Sequence, residues 1–288
     1  MKAYVFPGQG AQFSGMGKDL FEQYPLAQNL FAQADELLGF KISEIMFGGT
    51  DGALKQTNVT QPAVFIHSYI AFRCLAESAP DMVAGHSLGE FTALAANGAL
   101  SFEEALKLVS KRAHAMQRAC EQNPSGMAVV LKFDEKVIEQ VCASITDEIV
   151  VPANYNSQQQ LVISGSMKGL DLAMGKLREA GARKMLLLNV GGAFHSPLMQ
   201  SAQEELSTAI EECDFHTPIC PIYQNATASP ASDPEVIKKN LIKQLTSPVC
   251  WKQSVLNMFA DGANQFVEFG PGETLKNLIK RILPENQS

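Results

Sequence analysis

Residues 81–99, DMVAGHSLGEFTALAANGA, limit the possible folds more sharply than any other stretch of the 288-residue chain. The apolar run Met82–Ala84 reads as a short strand, Gly85 to Gly89 as a tight turn, and Phe91–Ala96 as the helix that follows. A strand that feeds directly into a helix is a unit of α/β architecture. The turn also fits G-x-S-x-G, in which the serine sits in a strained strand-to-helix turn whose neighbours must lack side chains. Such a five-residue match is weak alone, and the strand, turn and helix around it are the context that makes it a nucleophile elbow. Ser87 then stands at a helix N-terminus, where backbone N–H groups and the helix dipole favour a developing oxyanion.

The rest of the chain divides by rhythm. KAYVF is a strand entering the turn PGQG, MGKDLFEQYPLAQNLFAQADELL is helical and broken at Pro25, and TQPAVFIHSYIAFRCLAES is a helix that begins near Pro62 with the proline in its first turn. Ser101 and Glu104 form a capping box that opens a helix over roughly 102–121. From residue 125 to 190 the segments GMAVVLKF, DEKVIEQVCASI, EIVVPANYN, QLVISGS, KGLDLAMGKLREAG and ARKMLLLNV run strand, helix, strand, strand, helix, strand. That βαββαβ order is the signature of a small ferredoxin-like unit. A helix with Ser196 as N-cap and Pro197 at N1 follows, then the loop YQNATASPASDP, a helix capped by Asp233, and a closing strand, Gly-Pro-Gly turn and helix. The expected architecture is an α/β main domain, residues 1–124 and 191–288, interrupted by a small subdomain over 125–190.

Composition narrows the function classes. Hydrophobic residues at 46% and charged residues at 18% describe an ordinary globular chain, and a net charge of -7 argues against a general nucleic-acid binder. The N-terminus lacks an apolar signal core and no run of 18 apolar residues occurs, so neither a signal peptide nor a membrane span is expected. Six cysteines include no CxxC and no nearby histidine cluster, which suggests neither zinc nor a disulfide framework and fits a reduced, cytoplasmic protein. FPGQGAQ carries Gly8 and Gly10 but Phe13 where a third glycine would stand, so the dinucleotide pattern fails. No metal or cofactor is expected, and that turn can instead offer an N–H to an oxyanion beside Ser87.

A nucleophilic serine needs a base. His195, in GGAFHSPLM, lies between a glycine-rich turn and a helix N-terminus whose positive end would hold the imidazole neutral. His86 adjoins Ser87 and should point elsewhere, and His67 reads as packing. The acids between Ser87 and His195 fall in the solvated helices of the insert, so a Ser-His dyad oriented by a backbone carbonyl fits better than a triad. Arg112 falls in the middle of the apolar stripe Ala105, Leu108, Val109, Met116, Ala119 and should face inward. An inward guanidinium must meet an anion: a buried acid, if its role is structural and its stem does not snorkel out to solvent, or a substrate carboxylate held by a bidentate clamp.

Eight stretches in this order, FPGQGAQ, TQPA, GHSLGE, the Arg112 helix, NYNS, GAFHSPLM, SPVCW and FGPG, resemble the malonyl-CoA:acyl carrier protein transacylases of fatty-acid synthesis over nearly the whole chain. The resemblance implies a hydrolase-like α/β domain with a parallel sheet and a ferredoxin-like insert. It implies Ser87 as nucleophile, His195 as base, Arg112 on the malonyl carboxylate, and the N–H groups of Gln9 and Leu88 as oxyanion hole. Gln61, Met116, Phe194, Asn154 and Asn156 are carried over as substrate-binding residues, and the backbone carbonyl of Cys250 as the group that orients the histidine. Malonyl-CoA and acyl carrier protein are the expected partners of a free-standing, monomeric enzyme, with carrier docking on a local cationic face from Arg183, Lys184, Lys276, Lys280 and Arg281. A hydrolytic esterase and a non-catalytic docking module are the competing expectations.

Overall fold

In the computed structural model, which describes residues 1–54 and 56–283, the strands in chain order are β1 (Lys2–Phe6), β2 (Met82–Gly85), β3 (Ser125–Leu131), β4 (Val150–Ser157), β5 (Gln160–Ser166), β6 (Lys184–Leu187), β7 (Ile222–Tyr223), β8 (Pro230–Ala231) and β9 (Gln265–Glu268). They form two sheets. The first has the order β8-β7-β2-β1-β9, with β1 parallel to β2 and β9, β2 parallel to β7, and β8 antiparallel to β7. The expected parallel sheet is thus mixed, because part of YQNATASPASDP, read as loop, doubles back through Ala228 at φ 56° and adds a two-residue edge strand.

Strand periodicity decides what covers this sheet. Tyr4, Phe6 and Val83 belong to a large core with the helices Pro25–Leu38, Thr57–Leu75 and Phe102–Gln122, while Ala3, Val5, Met82 and Ala84 join a second core with the helices Trp251–Ala260 and Thr274–Ile282. Alternate residues face opposite layers, and both faces are buried, as a mainly parallel sheet requires.

The second sheet, order β4-β5-β3-β6, is antiparallel throughout. Ala128, Val130, Leu161 and Ile163 pack on the helices Glu135–Ala143 and Met167–Glu179, whereas Met127, Val129 and Val162 face the other way, into the large core. The edge strand β4 is tied to the rest of the chain by Tyr155 N–H donating to Val249 O (2.9 Å) and Val249 N–H to Ala153 O (2.8 Å). That tie brings Asn154 and Asn156 toward the ends of β1 and β2.

Most helix limits follow their sequence signals. The capping box at Ser101 and Glu104 forms in both directions, and Ser196 and Asp233 accept hydrogen bonds as N-caps. The helix expected to begin near Pro62 starts earlier, at Thr57, and holds Pro62 in its interior. Thr60 Oγ1 donates to the carbonyls of Leu54 and Gln56, which supports an early turn that the proline does not reveal.

Candidate active site

The chain leaves β2 at Gly85 and turns at Ser87, whose φ of 52° is a left-handed value that side chains rarely adopt. Close packing forces the glycines on either side. A Cβ at Gly85 would lie 1.9 Å from the Gly89 carbonyl carbon, and one at Gly89 would lie 2.0 Å from Phe6 O. The turn is held from both ends: Ser87 N–H donates to Asn225 Oδ1 (2.7 Å) and Ser87 O accepts from Gln244 Nε2 (2.9 Å). Leu88 caps the helix Gly89–Ala96, so its N–H is one of the free donors of a helix N-terminus beside the serine.

Ser87 Oγ is shared by two side chains from distant segments. His195 Nε2 lies 2.7 Å away and Arg112 Nη2 donates to the same oxygen at 3.0 Å. His195 Nδ1 is 3.0 Å from Gln244 O. A carbonyl only accepts, so Nδ1 carries the proton, Nε2 is bare, and the Ser87 hydroxyl donates to it. Burial pushes the His195 imidazole down to about 3, with the nearby Arg112 charge adding to the effect. Desolvation and Arg112 thus both hold this ring neutral.

Arg112 is 1% exposed, as its place in the stripe requires. Burial lowers its guanidinium to about 9, Glu90 works against that shift, and the group remains a cation at neutral pH. It donates to Gln61 Oε1 (2.6 Å) and Gln244 Oε1 (3.2 Å), and lies over the Phe91 ring at 5.6 Å. Among the described residues no carboxylate forms an ion pair with it, and its Nε is buried without a partner. A buried cation met by neutral oxygens alone has attraction to spare for an anion that enters the site.

These groups line a cavity of about 470 Å³ whose wall includes Gln9, Ser87, Arg112, Met116, Phe194 and His195. Asn154 and Asn156 contribute from β4, with Asn154 Oδ1 buried and unpartnered and Asn156 Oδ1 2.8 Å from His86 Nε2. His86 therefore points away from the serine's partner, and burial holds its ring below the ordinary imidazole range. Gln61 stands behind the cavity, where its Oε1 takes Arg112 and its Nε2 donates to Met116 Sδ at 3.3 Å. Of the five expected docking cations, Arg281 reaches the cavity wall; Arg183, Lys184, Lys276 and Lys280 are exposed.

Residues 3–287 match the family described as Acyl transferase domain. The chain belongs to that family. It is 42% identical over 284 residues to the malonyl CoA-acyl carrier protein transacylase of Bacillus subtilis, covering 97% of this chain and 90% of that protein. The structure of the malonyl CoA-acyl carrier protein transacylase from Coxiella burnetii superposes with a TM-score of 0.95 at 37% identity, covering 100% of this chain and 92% of that one. A malonyl-transacylase solved in complex with its type II PKS acyl-carrier protein gives a TM-score of 0.95 at 35% identity, over 99% of this chain and 93% of that one.

Within this acyl transferase one expected residue is displaced from its role. The carbonyl that His195 reaches belongs to Gln244, not to Cys250. Cys250 O is occupied at the start of the Trp251–Ala260 helix, where it accepts from Ser254 N–H (2.9 Å) and Ser254 Oγ (3.1 Å). Three site residues were not expected at all: Gln244, Asn225 and Glu90. Glu90 lies in GHSLGE itself, where an acid in the first turn of a helix reads as an ordinary dipole partner. Gln244 and Asn225 are neutral amides far along the chain, with no spacing that ties them to the elbow.

Proposed function

We propose that the chain is an acyl-carrier-protein S-malonyltransferase that passes malonyl from malonyl-CoA to the phosphopantetheine thiol of acyl carrier protein, for fatty-acid synthesis, through a malonyl-serine intermediate. The observation that carries this reading is the sharing of Ser87 Oγ between a bare imidazole nitrogen and a buried guanidinium. A cation so close to the nucleophile suits an acyl group whose own carboxylate lies only two carbons from the carbonyl under attack. A simple ester has no use for it.

Ser87 Oγ attacks the thioester carbonyl carbon while its proton passes to His195 Nε2. The oxyanion accepts from the N–H groups of Gln9 and Leu88. The C–S bond breaks, His195 returns the proton to the leaving sulfur, and CoA departs. The carrier's thiol then gives its proton to His195 and attacks the malonyl ester, and Ser87 recovers its hydrogen. Arg112, backed by Gln61, holds the malonyl carboxylate throughout, and Phe194 and Met116 shape the acyl pocket. Asn154 and Asn156 flank the pantetheine arm. The topology of β3 to β6 supports a ferredoxin-like insert over residues 125–190 in a hydrolase-like domain of residues 1–124 and 191–288. Carrier docking on the exposed side of the helix Thr274–Ile282 fits the reach of Arg281 to the cavity.

The test is acceptor-free loading. Malonyl-CoA alone should leave a malonyl adduct on the tryptic peptide bearing Ser87, and Ser87→Ala should leave none. An unmodified wild-type chain overturns the proposal; prompt release of malonate would make the site a hydrolase.

A further inference from the structure

The proposed chemistry gives Glu90 no task, yet Glu90 is fully buried in the first turn of the helix that follows Ser87. A carboxylate withdrawn from water needs compensation, and among the described residues no cation forms an ion pair with it. Three N–H donors converge on it instead. Asn225 N–H and Gln244 Nε2 reach Oε2 at 2.8 and 3.1 Å, and Gln224 Nε2 reaches Oε1 at 3.1 Å. Burial pushes the Glu90 carboxyl up, and the three donors, none of which offers an acceptor to a carboxyl proton, work against that push together with the Arg112 charge and the helix N-terminus.

The partners of Glu90 are also the partners of the catalytic groups. Gln244 Nε2 donates to Ser87 O as well, its Oε1 accepts from Arg112 Nη2, and its main-chain oxygen accepts from His195. Asn225 takes Ser87 N–H on Oδ1 and holds Gly85 O through Nδ2 at 2.6 Å. A side-chain amide turns over with little change of shape, so the polarity of its neighbours decides which end faces where. Ser87 O, which only accepts, and Arg112, which only donates, set the two ends of the Gln244 amide, and Glu90 Oε2 is the further anchor that keeps Nε2 from swinging off Ser87 O.

We propose that Glu90 is a positioning residue for acyl transfer: its Oε2 ties the Gln244 amide and the Asn225 backbone together, and through them holds Arg112 and both peptide groups of the strained Ser87 turn in register with His195. This inference rests on the reading of the site as a malonyl transferase. Glutamine at position 90 would keep an oxygen for Asn225 N–H and Gln244 Nε2 and turn its NH₂ toward Gln224, whereas methionine removes the acceptor and frees Gln244 and Asn225 together.

Glu90→Met, Gln244→Met and the double variant, beside Glu90→Gln, test this by quenched loading of Ser87 with malonyl-CoA and with acetyl-CoA, read by mass spectrometry. The malonyl-to-acetyl ratio of loading rates should fall about tenfold in each single methionine variant, the effect of one lost charge-assisted hydrogen bond, and stay within about twofold of wild type in Glu90→Gln, which keeps the acceptor. Because both methionine variants act through one amide, the double variant should be no worse than the poorer single. A wild-type ratio in a Glu90→Met protein with native circular dichroism overturns the inference, as does a Glu90→Gln protein as poor as Glu90→Met or a double variant whose losses multiply. Should Glu90→Met fail to fold, Gln244→Met decides alone, and an unchanged ratio there is fatal. A wild-type enzyme that takes no malonyl refutes the functional reading instead; a wild type that loads normally beside unaltered variants refutes only the role of Glu90.

Discussion

Removing the Arg112 charge should raise the proton affinity of His195 by an amount the geometry sets. Both groups contact Ser87 Oγ, at 3.0 and 2.7 Å, so the cation and the imidazole stand roughly 5 Å apart out of bulk water. At an effective dielectric near 20, unit charges at that separation repel by ~3 kcal/mol, which is about two pKa units. Burial is the larger cause of the depressed imidazole, held down to about 3, and burial persists in a variant; Arg112 is the next cause and is the one removed. Arg112→Gln should therefore lift His195 to about 5. The proposed role of His195 as base needs it deprotonated, so a raised pKa makes activity fall as pH drops through the new value. The assay is the rate of Ser87 acylation by acetyl-CoA, whose acyl group has no carboxylate, between about pH 4 and 8 with folding followed by circular dichroism. The wild type should hold a level rate toward the acid end, and the variant should show an acid limb about two pH units higher. Coincident profiles would mean that the imidazole does not feel Arg112. The same repulsion gives a malonyl carboxylate a second effect, because an anion on Arg112 cancels the field that weakens the base.

Three further outcomes follow from single contacts. Cys250→Ala should load malonyl at a rate within about twofold of wild type, since the carbonyl at 250 serves the helix rather than His195; a tenfold loss in the same loading assay would return Cys250 to the histidine. Gly89→Ala should lower stability by about 3 kcal/mol or more in urea melts, because its Cβ meets Phe6 O at 2.0 Å and Pro7 O at 2.9 Å; an unshifted midpoint would show that the elbow yields. His67 is buried and held down to about 4 by that burial, with Asp19 opposing. The unfolded chain then takes the proton first as pH falls, and stability declines from about pH 6.5 to about 4 by up to ~1.4 kcal/mol per pH unit. His67→Gln should flatten that segment of the urea-melt profile, and parallel curves would refute the assignment.

What the sequence disclosed and what it hid differ by the range of the signal. Elements with a local period or cap are legible: the capping box at Ser101, the break at Pro25, the start at Pro197 and the strand-helix order of residues 125–190 all depend on neighbours a few positions apart. Arg112 was legible as inward-facing for the same reason, since a 3.6-residue stripe fixes its direction whatever it meets. What it meets was hidden. Gln61, Gln244 and Ser87 come from a helix, a 3₁₀ turn and the elbow, and a neutral amide carries no charge or period to announce a contact 132 residues away. The carbonyl that meets His195 is hidden for the same reason: every residue owns one, so the choice between Gln244 and Cys250 depends on how the segment joining them folds and on no side chain. Glu90 shows the limit from the other direction. Its neighbour Ser87 is marked by the glycines around it, but the worth of a buried acid lies in which donors surround it, and Asn225 and Gln244 reach it from the β7 end and the 3₁₀ turn Gln244–Thr246, which pack against the elbow. The elbow's serine is thus a local fact of the sequence, whereas its register with His195 and Arg112 is a property of the assembled chain.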